Sequence, residues 1–164
     1  MGLKDEESCG GGGRVRVITI GRASGGEWAA AAEAYRRRTR PPWAWDWVVV
    51  PAKSHGGPAA RRQEAAAALG HVRPTDFLIA LDERGRQWTT RELHRWLSGL
   101  LAGPRPLVLV IGGPDGLDGS LTARADAAWS LSSLTWPHEL AILMVAEQLY
   151  RVSTVDRGHP YHRD

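Results

Sequence analysis

Leu107-Val108-Leu109-Val110-Ile111 runs straight into Gly112-Gly113-Pro114-Asp115-Gly116, and this junction decides the fold. Five consecutive apolar residues predict a strand buried on both faces, as strands of a parallel sheet are. Three glycines and a proline in the next five residues end it in a turn, where glycine lets a ligand approach the backbone. A tight turn needs the same residues for its own sake. A helical segment near residues 121–128 then leads to Trp129-Ser130-Leu131-Ser132-Ser133-Leu134-Thr135-Trp136-Pro137-His138, which reads as a strand over about 129–134 and a loop. Loops at the carboxyl ends of neighbouring parallel strands form the crevice in which open α/β sheets bind ligands.

Outward from this core, strands and helices alternate. Residues 14–20 alternate polar and apolar before Gly21, and 45–50 and 76–82 read as further strands. The alanine-rich stretches 27–40 and 59–69 read as helices, the second closed by Gly70 at C′. Thr89 and Glu92 have capping-box spacing ahead of Leu93, Trp96, Leu97, Leu100 and Leu101, the clearest amphipathic pattern in the chain. Pro137 suits the first turn of a last helix running to about 152, with Leu140, Leu143, Met144, Ala146 and Leu149 as its apolar stripe. The alternation predicts one three-layer α/β/α domain with a mostly parallel sheet over residues 14–164. Residues 1–13 hold four successive glycines and little to bury, and are expected to be a flexible extension.

Composition excludes several classes. With 164 residues the chain is one domain's length, and 21 Lys and Arg against 18 Asp and Glu leave a net charge of +3. The single cysteine, Cys9, excludes a disulfide framework and any multi-cysteine zinc site. No apolar run approaches the length of a membrane span, and acids at Asp5, Glu6 and Glu7 do not fit a secretory signal. The expectation is a cytoplasmic protein. Arg36, Arg37, Arg38 and Arg40 suit the end of a helix electrostatically, the favoured reading, with RNA phosphate as the alternative, while Lys53, Arg61 and Arg62 are further phosphate candidates. His138 reads as a capping or core residue.

The chain ends in Arg157-Gly158-His159-Pro160-Tyr161-His162-Arg163-Asp164, an unusual concentration of chemistry for a terminus. His159 and His162 could be half a metal site, but no cluster of fitting spacing completes it, so no metal is expected. Histidine is the natural proton acceptor at neutral pH.

These stretches carry a specific resemblance. Leu81-Asp82 with Gly85, Ile111-Gly112-Gly113-Pro114-Asp115-Gly116, Trp129-Ser130-Leu131-Ser132, Leu134-Thr135, Pro137-His138, Val145-Ala146-Glu147, Leu149-Tyr150-Arg151 and His159-Pro160-Tyr161-His162-Arg163 resemble the bacterial ribosomal RNA large-subunit methyltransferase H family, within the SPOUT methyltransferases. The resemblance spans residues 14–164. It implies a homodimer that uses S-adenosylmethionine to methylate N3 of a pseudouridine in helix 69 of 23S rRNA, on assembled ribosomes. It also implies a trefoil knot at the carboxyl end, which no hydrophobic periodicity could show.

By matching position, the resemblance makes Leu81, Gly112, Leu131, Ser132, Ser133, Leu134, Thr135 and Trp136 the cofactor contacts. It assigns the tail, His159 to His162, to the RNA and to the partner protomer's cofactor; the clustering of these groups itself suggests that Tyr161 or His162 accepts the proton or polarises the base and that Arg163 holds a phosphate or oxyanion. Trp136, Glu139 and the His55-Gly56-Gly57-Pro58 loop stand where the family varies. The alternatives are a SPOUT methyltransferase for another RNA and a catalytically silent ribosome-binding protein.

Overall fold

The computed structural model describes residues 14–21, 26–53 and 56–163. The expected extension 1–13, His55 and Asp164 lie outside them. Chain order is β1 (Val15–Ile20), α1 (Glu27–Arg38), β2 (Trp45–Val50), α2 (Pro58–Leu69), β3 (Phe77–Arg86), α3 (Thr90–Ala102), β4 (Leu107–Ile111), α4 (Gly119–Arg124), β5 (Ala127–Trp129) and α5 (His138–Asp156). The five strands form one sheet in the order β2-β1-β4-β3-β5, with every pairing parallel.

β4 is central, and all five of its residues are buried. Strand alternation sends Leu107, Leu109 and Ile111 to one face, where they meet Leu93, Leu97 and Leu101 of α3 and Ile142, Val145 and Leu149 of α5. Val108 and Val110 point to the other face, against Ala65 and Ala68 of α2 and Leu121 of α4. The three layers are therefore α1, α3 and α5, then the sheet, then α2 and α4.

Local signals act as the sequence implies at several ends. The α3 capping box forms, with the Glu92 amide donating to the Thr89 hydroxyl at 3.3 Å and the Thr89 amide donating to the Glu92 carboxylate at 2.9 Å. Three expectations are corrected here, and a fourth, the end of β3, below. Gly70 caps α2 in a right-handed conformation, because the chain relaxes into one more tight turn through His71 and Val72 rather than reversing. β5 is three residues long and earlier than expected, since Ser130 and Ser132 turn their hydrogen bonding inward to organise a loop. The α5 stripe lies on Ile142, Val145, Ala146, Leu149 and Val152, leaving Leu140, Leu143 and Met144 only half-buried.

β3 outruns its expected end at Asp82. Its inner half pairs Leu81 with Trp129, a register break follows, and Arg86 then pairs with the same Trp129. Between them Asp82 closes a tight turn by accepting the Arg84 amide at 2.9 Å and binding its guanidinium at 2.8 Å. The outer half of β3 thus bends over the end of β5, and the Ser130 amide donates to the Arg86 carbonyl at 3.0 Å. A Cβ on Gly85 would lie 2.7 Å from backbone atoms of Ala128 and Trp129. Only glycine fits where two chain segments cross this closely.

Candidate active-site cleft and tail

Three strand ends stand level at the carboxyl edge of the sheet. Leu81 pairs with Ile111 on one side and with Trp129 on the other, so Leu81, Gly112 and the loop from Ser130 emerge side by side. Adjacent strands sit about 4.8 Å apart, which places all three within about 10 Å. The sequence-expected cofactor contacts are brought together.

Gly112 serves the turn itself. A Cβ there would lie 2.8 Å from the Gly116 carbonyl carbon and 3.0 Å from the Leu117 nitrogen, because the turn folds back through a Gly116 amide to Gly113 carbonyl bond of 2.9 Å. The missing side chain is thus occupied by the loop's own backbone. In the loop after β5, Ser130 donates to the Ser132 carbonyl at 2.8 Å, and the Ser132 hydroxyl accepts the Leu134 amide at 3.0 Å and the Trp136 indole N–H at 2.8 Å. Leu131 packs against the core. Ser133, Leu134 and Thr135 are left at the surface, with Leu134 64% exposed. A rigid loop with an exposed leucine beside a glycine turn suits a flat aromatic ligand, and the free loop hydroxyls suit a ribose.

Beside the Gly112 turn, and adjoining the same loop through Trp136, lies a cleft of about 520 Å³, bordered by Gly21, Ala52, Gly113, Pro114, Trp136 and His138. His138 opens α5, and both its ring nitrogens are shielded from water beside the Gly112 and Gly21 backbones. Burial is the main influence on it and pulls its pKa below the ordinary 6.5, against smaller opposing effects of the Gly112 and Gly21 backbones and the Glu139 charge. The imidazole is therefore neutral at neutral pH. Gly21 adopts φ +93°, and a Cβ there would lie 3.7 Å from His138 Nε2. Basic groups rim this side: Lys53 is exposed, and Arg61 donates to the Asp115 carbonyl at 3.4 Å.

The other arginine cluster is largely engaged. Arg36 and Arg37 bind Glu33 at 2.7 and 2.9 Å, and the hydrogen bond from Arg36 heads the effects that hold the Glu33 carboxyl down at about 2. Arg38 donates to the Tyr150 hydroxyl at 2.8 Å and lies 4.3 Å over its ring.

The tail is anchored. Gly158 takes φ +60°, the His159 amide donates to the Thr154 carbonyl at 3.0 Å and the Gly158 amide to the Val155 carbonyl at 3.1 Å, which is the double closure of a Schellman motif. The chain reverses there and runs back along α5. The Tyr161 hydroxyl donates to Glu147 at 3.1 Å and meets the Tyr35 hydroxyl at 3.2 Å, while its ring packs edge-on to Tyr150 at 4.9 Å. Burial, then the Tyr35 contact and the Glu147 charge, push its pKa well above the ordinary 10. His162 is half-buried beside it and Arg163 is exposed.

Glu147 lies nine residues beyond His138 on α5, about 14 Å along the axis at 1.5 Å per residue. The structure therefore does not bring Tyr161 into the cleft of its own chain. Reading the sequence alone missed Glu147 as the tail's anchor and His138 as part of the cleft wall. Arg157-Gly158 directly after an apolar helix was a legible signal for the reversal. Replacing Tyr161 with phenylalanine is expected to weaken tail docking by about 2 kcal/mol, the range for a hydrogen bond to a charged group. Faster amide exchange at residues 161–163 with unchanged exchange in β4 would show it.

Among the described residues no group of His, Cys, Asp and Glu is placed to hold a metal, and no helix is long and apolar enough to cross a membrane. The family model described as "Predicted SPOUT methyltransferase" matches residues 14–162. A protein from an Anaeromyxobacter species named ribosomal RNA large subunit methyltransferase H is 42% identical over 156 residues, covering 92% of this chain and 99% of that one. A protein of the same name from Thioalkalivibrio sulfidiphilus is 39% identical over 155 residues, with the same coverage. Among solved structures, a probable methyltransferase from Bordetella pertussis aligns with a TM-score of 0.57 at 16% identity, over 85% of this chain and 94% of that one. A probable methylase family protein from Haemophilus influenzae aligns at 0.56 and 13%, over 92% and 71%. At such identity these structures speak to the fold alone.

Proposed function

The chain belongs to the SPOUT methyltransferase family, and from that premise we propose that it methylates N3 of a pseudouridine in helix 69 of large-subunit rRNA. The donor is S-adenosylmethionine, the substrate is the assembled ribosome, and the working form is a homodimer. The observation that carries this reading is the level emergence of Leu81, Gly112 and the loop from Ser130 at one sheet edge.

Bound there, S-adenosylmethionine supplies an electrophilic methyl group on a sulfonium. Leu81, Gly112, Leu131, Ser132, Ser133, Leu134, Thr135 and Trp136 would hold it. The protein's share of an in-line transfer is alignment and exclusion of water. N3 of the base must lose its proton, and the tail supplies the groups for that. Tyr161, held as a neutral donor to Glu147, suits the anchor's role; His162 accepts the proton, and Arg163 holds phosphate or the developing oxyanion.

The dimer reading is supported by the same geometry. A tail docked about 14 Å along α5 from its own cleft can serve a neighbour's. The half-buried Leu140 and Met144 of α5 and the exposed Trp28 of α1 leave apolar surface on two adjacent helices for a second copy to cover. The knot reading is supported by the outer half of β3, which bends over residues 128–130 before the chain continues into α5.

Methyl transfer from labelled S-adenosylmethionine to ribosomes lacking the modification, with mass mapping of the product, tests the proposal. Label on a helix 69 pseudouridine is the expected result, and label elsewhere or none overturns it. Neutralising Lys53, Arg61 and Arg62 together is expected to lower the slope of log affinity against log salt for ribosome binding by about 2, at 0.7–0.9 per phosphate contact. An unchanged slope would remove all three from the RNA interface.

A further inference from the structure

We infer that the arginine-lined recess at the amino edge of the sheet, between Arg14, Arg16 and Arg73, is the docking site of this chain's own acidic segment, Asp5-Glu6-Glu7. The recess lies at the opposite end of the strands from the candidate active site. Arg14 and Arg16 stand at the start of β1, Leu107 and Val108 at the start of β4, and Arg73, Asp76 and Pro106 in the loops that flank them. Arg14 donates to the Gly103 carbonyl and Arg16 to the His71 carbonyl, the latter at 2.8 Å, so two guanidinium groups are held in place. Arg73 is exposed, and its backbone amide donates to the Asp76 carboxylate at 2.8 Å. Among the described residues none of these three arginines forms an ion pair. Next to them Arg105 and Arg124 share Asp126, at 2.9 and 3.2 Å. The opposing carboxylates are Asp76, Asp126 and Asp46, which pairs with Arg16 in the sheet register. Positive charge therefore remains in excess at this edge.

Size, chemistry and reach select the occupant. At about 160 Å³ the recess is too small for a nucleotide and admits one small polar group. A guanidinium matches a carboxylate through two parallel hydrogen bonds, and groups already held in place lose little freedom in making them. Residues 1–13 join the described chain at Arg14, which is itself part of the recess wall. Six residues, Ser8 to Gly13, separate Glu7 from Arg14, and four of them are glycine. A glycine-rich coil of that length spans about 15 Å. The tether thus keeps three consecutive carboxylates beside the arginines at an effective concentration of about millimolar, where individually weak exposed pairs are occupied together. Lys4 precedes them and leaves the segment net negative. β4 is about 16 Å long, so a polyanion held at the amino edge lies that far from the strand ends carrying the expected cofactor contacts. Docked acids keep polyanions off this edge, whichever reaction the other edge performs.

The single cysteine, Cys9, lies within the tether and takes a nitroxide label in the full-length chain. Paramagnetic broadening of amide NMR signals then maps where the segment rests. At low salt the amides of residues 72–77 and 105–108 are expected to broaden. The enhancement is expected to fall about threefold in Asp5→Asn/Glu6→Gln/Glu7→Gln, which keeps the tether and loses the charge, and to fall likewise in wild type at about 1 M salt. Arg16→Gln/Arg73→Gln is expected to match the neutralised segment with a melting temperature near wild type. Equal broadening with and without the three acids overturns the inference, because the tether alone then brings the label close. Broadening centred on another basic surface, such as that of Lys53, Arg61 and Arg62, overturns it too. Inorganic pyrophosphate gives a second readout by calorimetry: it is expected to bind the neutralised chain about fivefold more tightly than wild type, since the segment no longer competes. Equal affinities for the two chains would show a recess open to free anions and refute docking.

Discussion

Gly85→Ala is expected to destabilise the protein by about 4 kcal/mol or more, the range reserved for forced backbone displacement. A methyl group there would lie 2.7 Å from three backbone atoms of Ala128 and Trp129, where no side-chain rotation can relieve the contact. To admit it, either the outer half of β3 lifts or β5 leaves the sheet. Both break the Ser130 to Arg86 hydrogen bond and uncover Trp129, which is 3% exposed. For a chain of this length the melting temperature is expected to fall by about 10 °C. Gly99→Ala is the matched control, since nothing lies within 4 Å of its Cβ position and it sits inside α3. Helix propensity alone predicts a gain there of about 0.5–1 kcal/mol. Equal melting temperatures for the two variants would show that the crossing at Gly85 is looser than its geometry indicates.

Ending the chain after Gly158 is expected to cut methyl transfer by a factor of about 100 to 10,000, the span attributed to positioned proton transfer. The truncation keeps the Gly158 amide bond to the Val155 carbonyl, gives up the His159 half of the Schellman closure, and removes Tyr161, His162 and Arg163 together. The core loses almost nothing, because the tail touches α1 and α5 from outside, through Tyr35, Glu147, Tyr150 and Arg151. Stability and cofactor affinity should therefore stay near wild type while turnover collapses. If two chains share each site, the truncated protein should be rescued by a partner that has a good tail and a blocked loop. Leu134→Arg is suited to that role, since Leu134 is 64% exposed and the change leaves the core alone. Mixed dimers that remain as inactive as either parent would place tail and cofactor on one chain.

Much of this is legible in the sequence. β4 and its glycine turn, the Thr89–Glu92 capping box and the strand–helix alternation are local patterns, each set by residues a few positions apart. The tail stands out because it gathers two histidines, a tyrosine and an arginine within five residues. β5 was misplaced because its apolar residues continue into a loop whose serines bond to their own backbone, a competition that periodicity does not register. Of the two reasons for glycine at position 112, the turn's own need is met by the Gly116 backbone, which fills the place of the missing Cβ. The anchor of Tyr161 on Glu147 spans fourteen positions and a chain reversal, so no short-range pattern could announce it.

The amino-acid sequence by itself determined the layers, the parallel sheet, the identity of the residues at the strand ends and the family to which they belong. Those follow from hydrophobic period, caps and turns, which are local. Tertiary structure alone decided that Leu81, Gly112 and Ser130 stand level, that His138 closes a cleft with Gly21, and that β3 bends over Trp129. Each of these depends on strand order and register, and those are fixed only when both faces of β4 are buried at once.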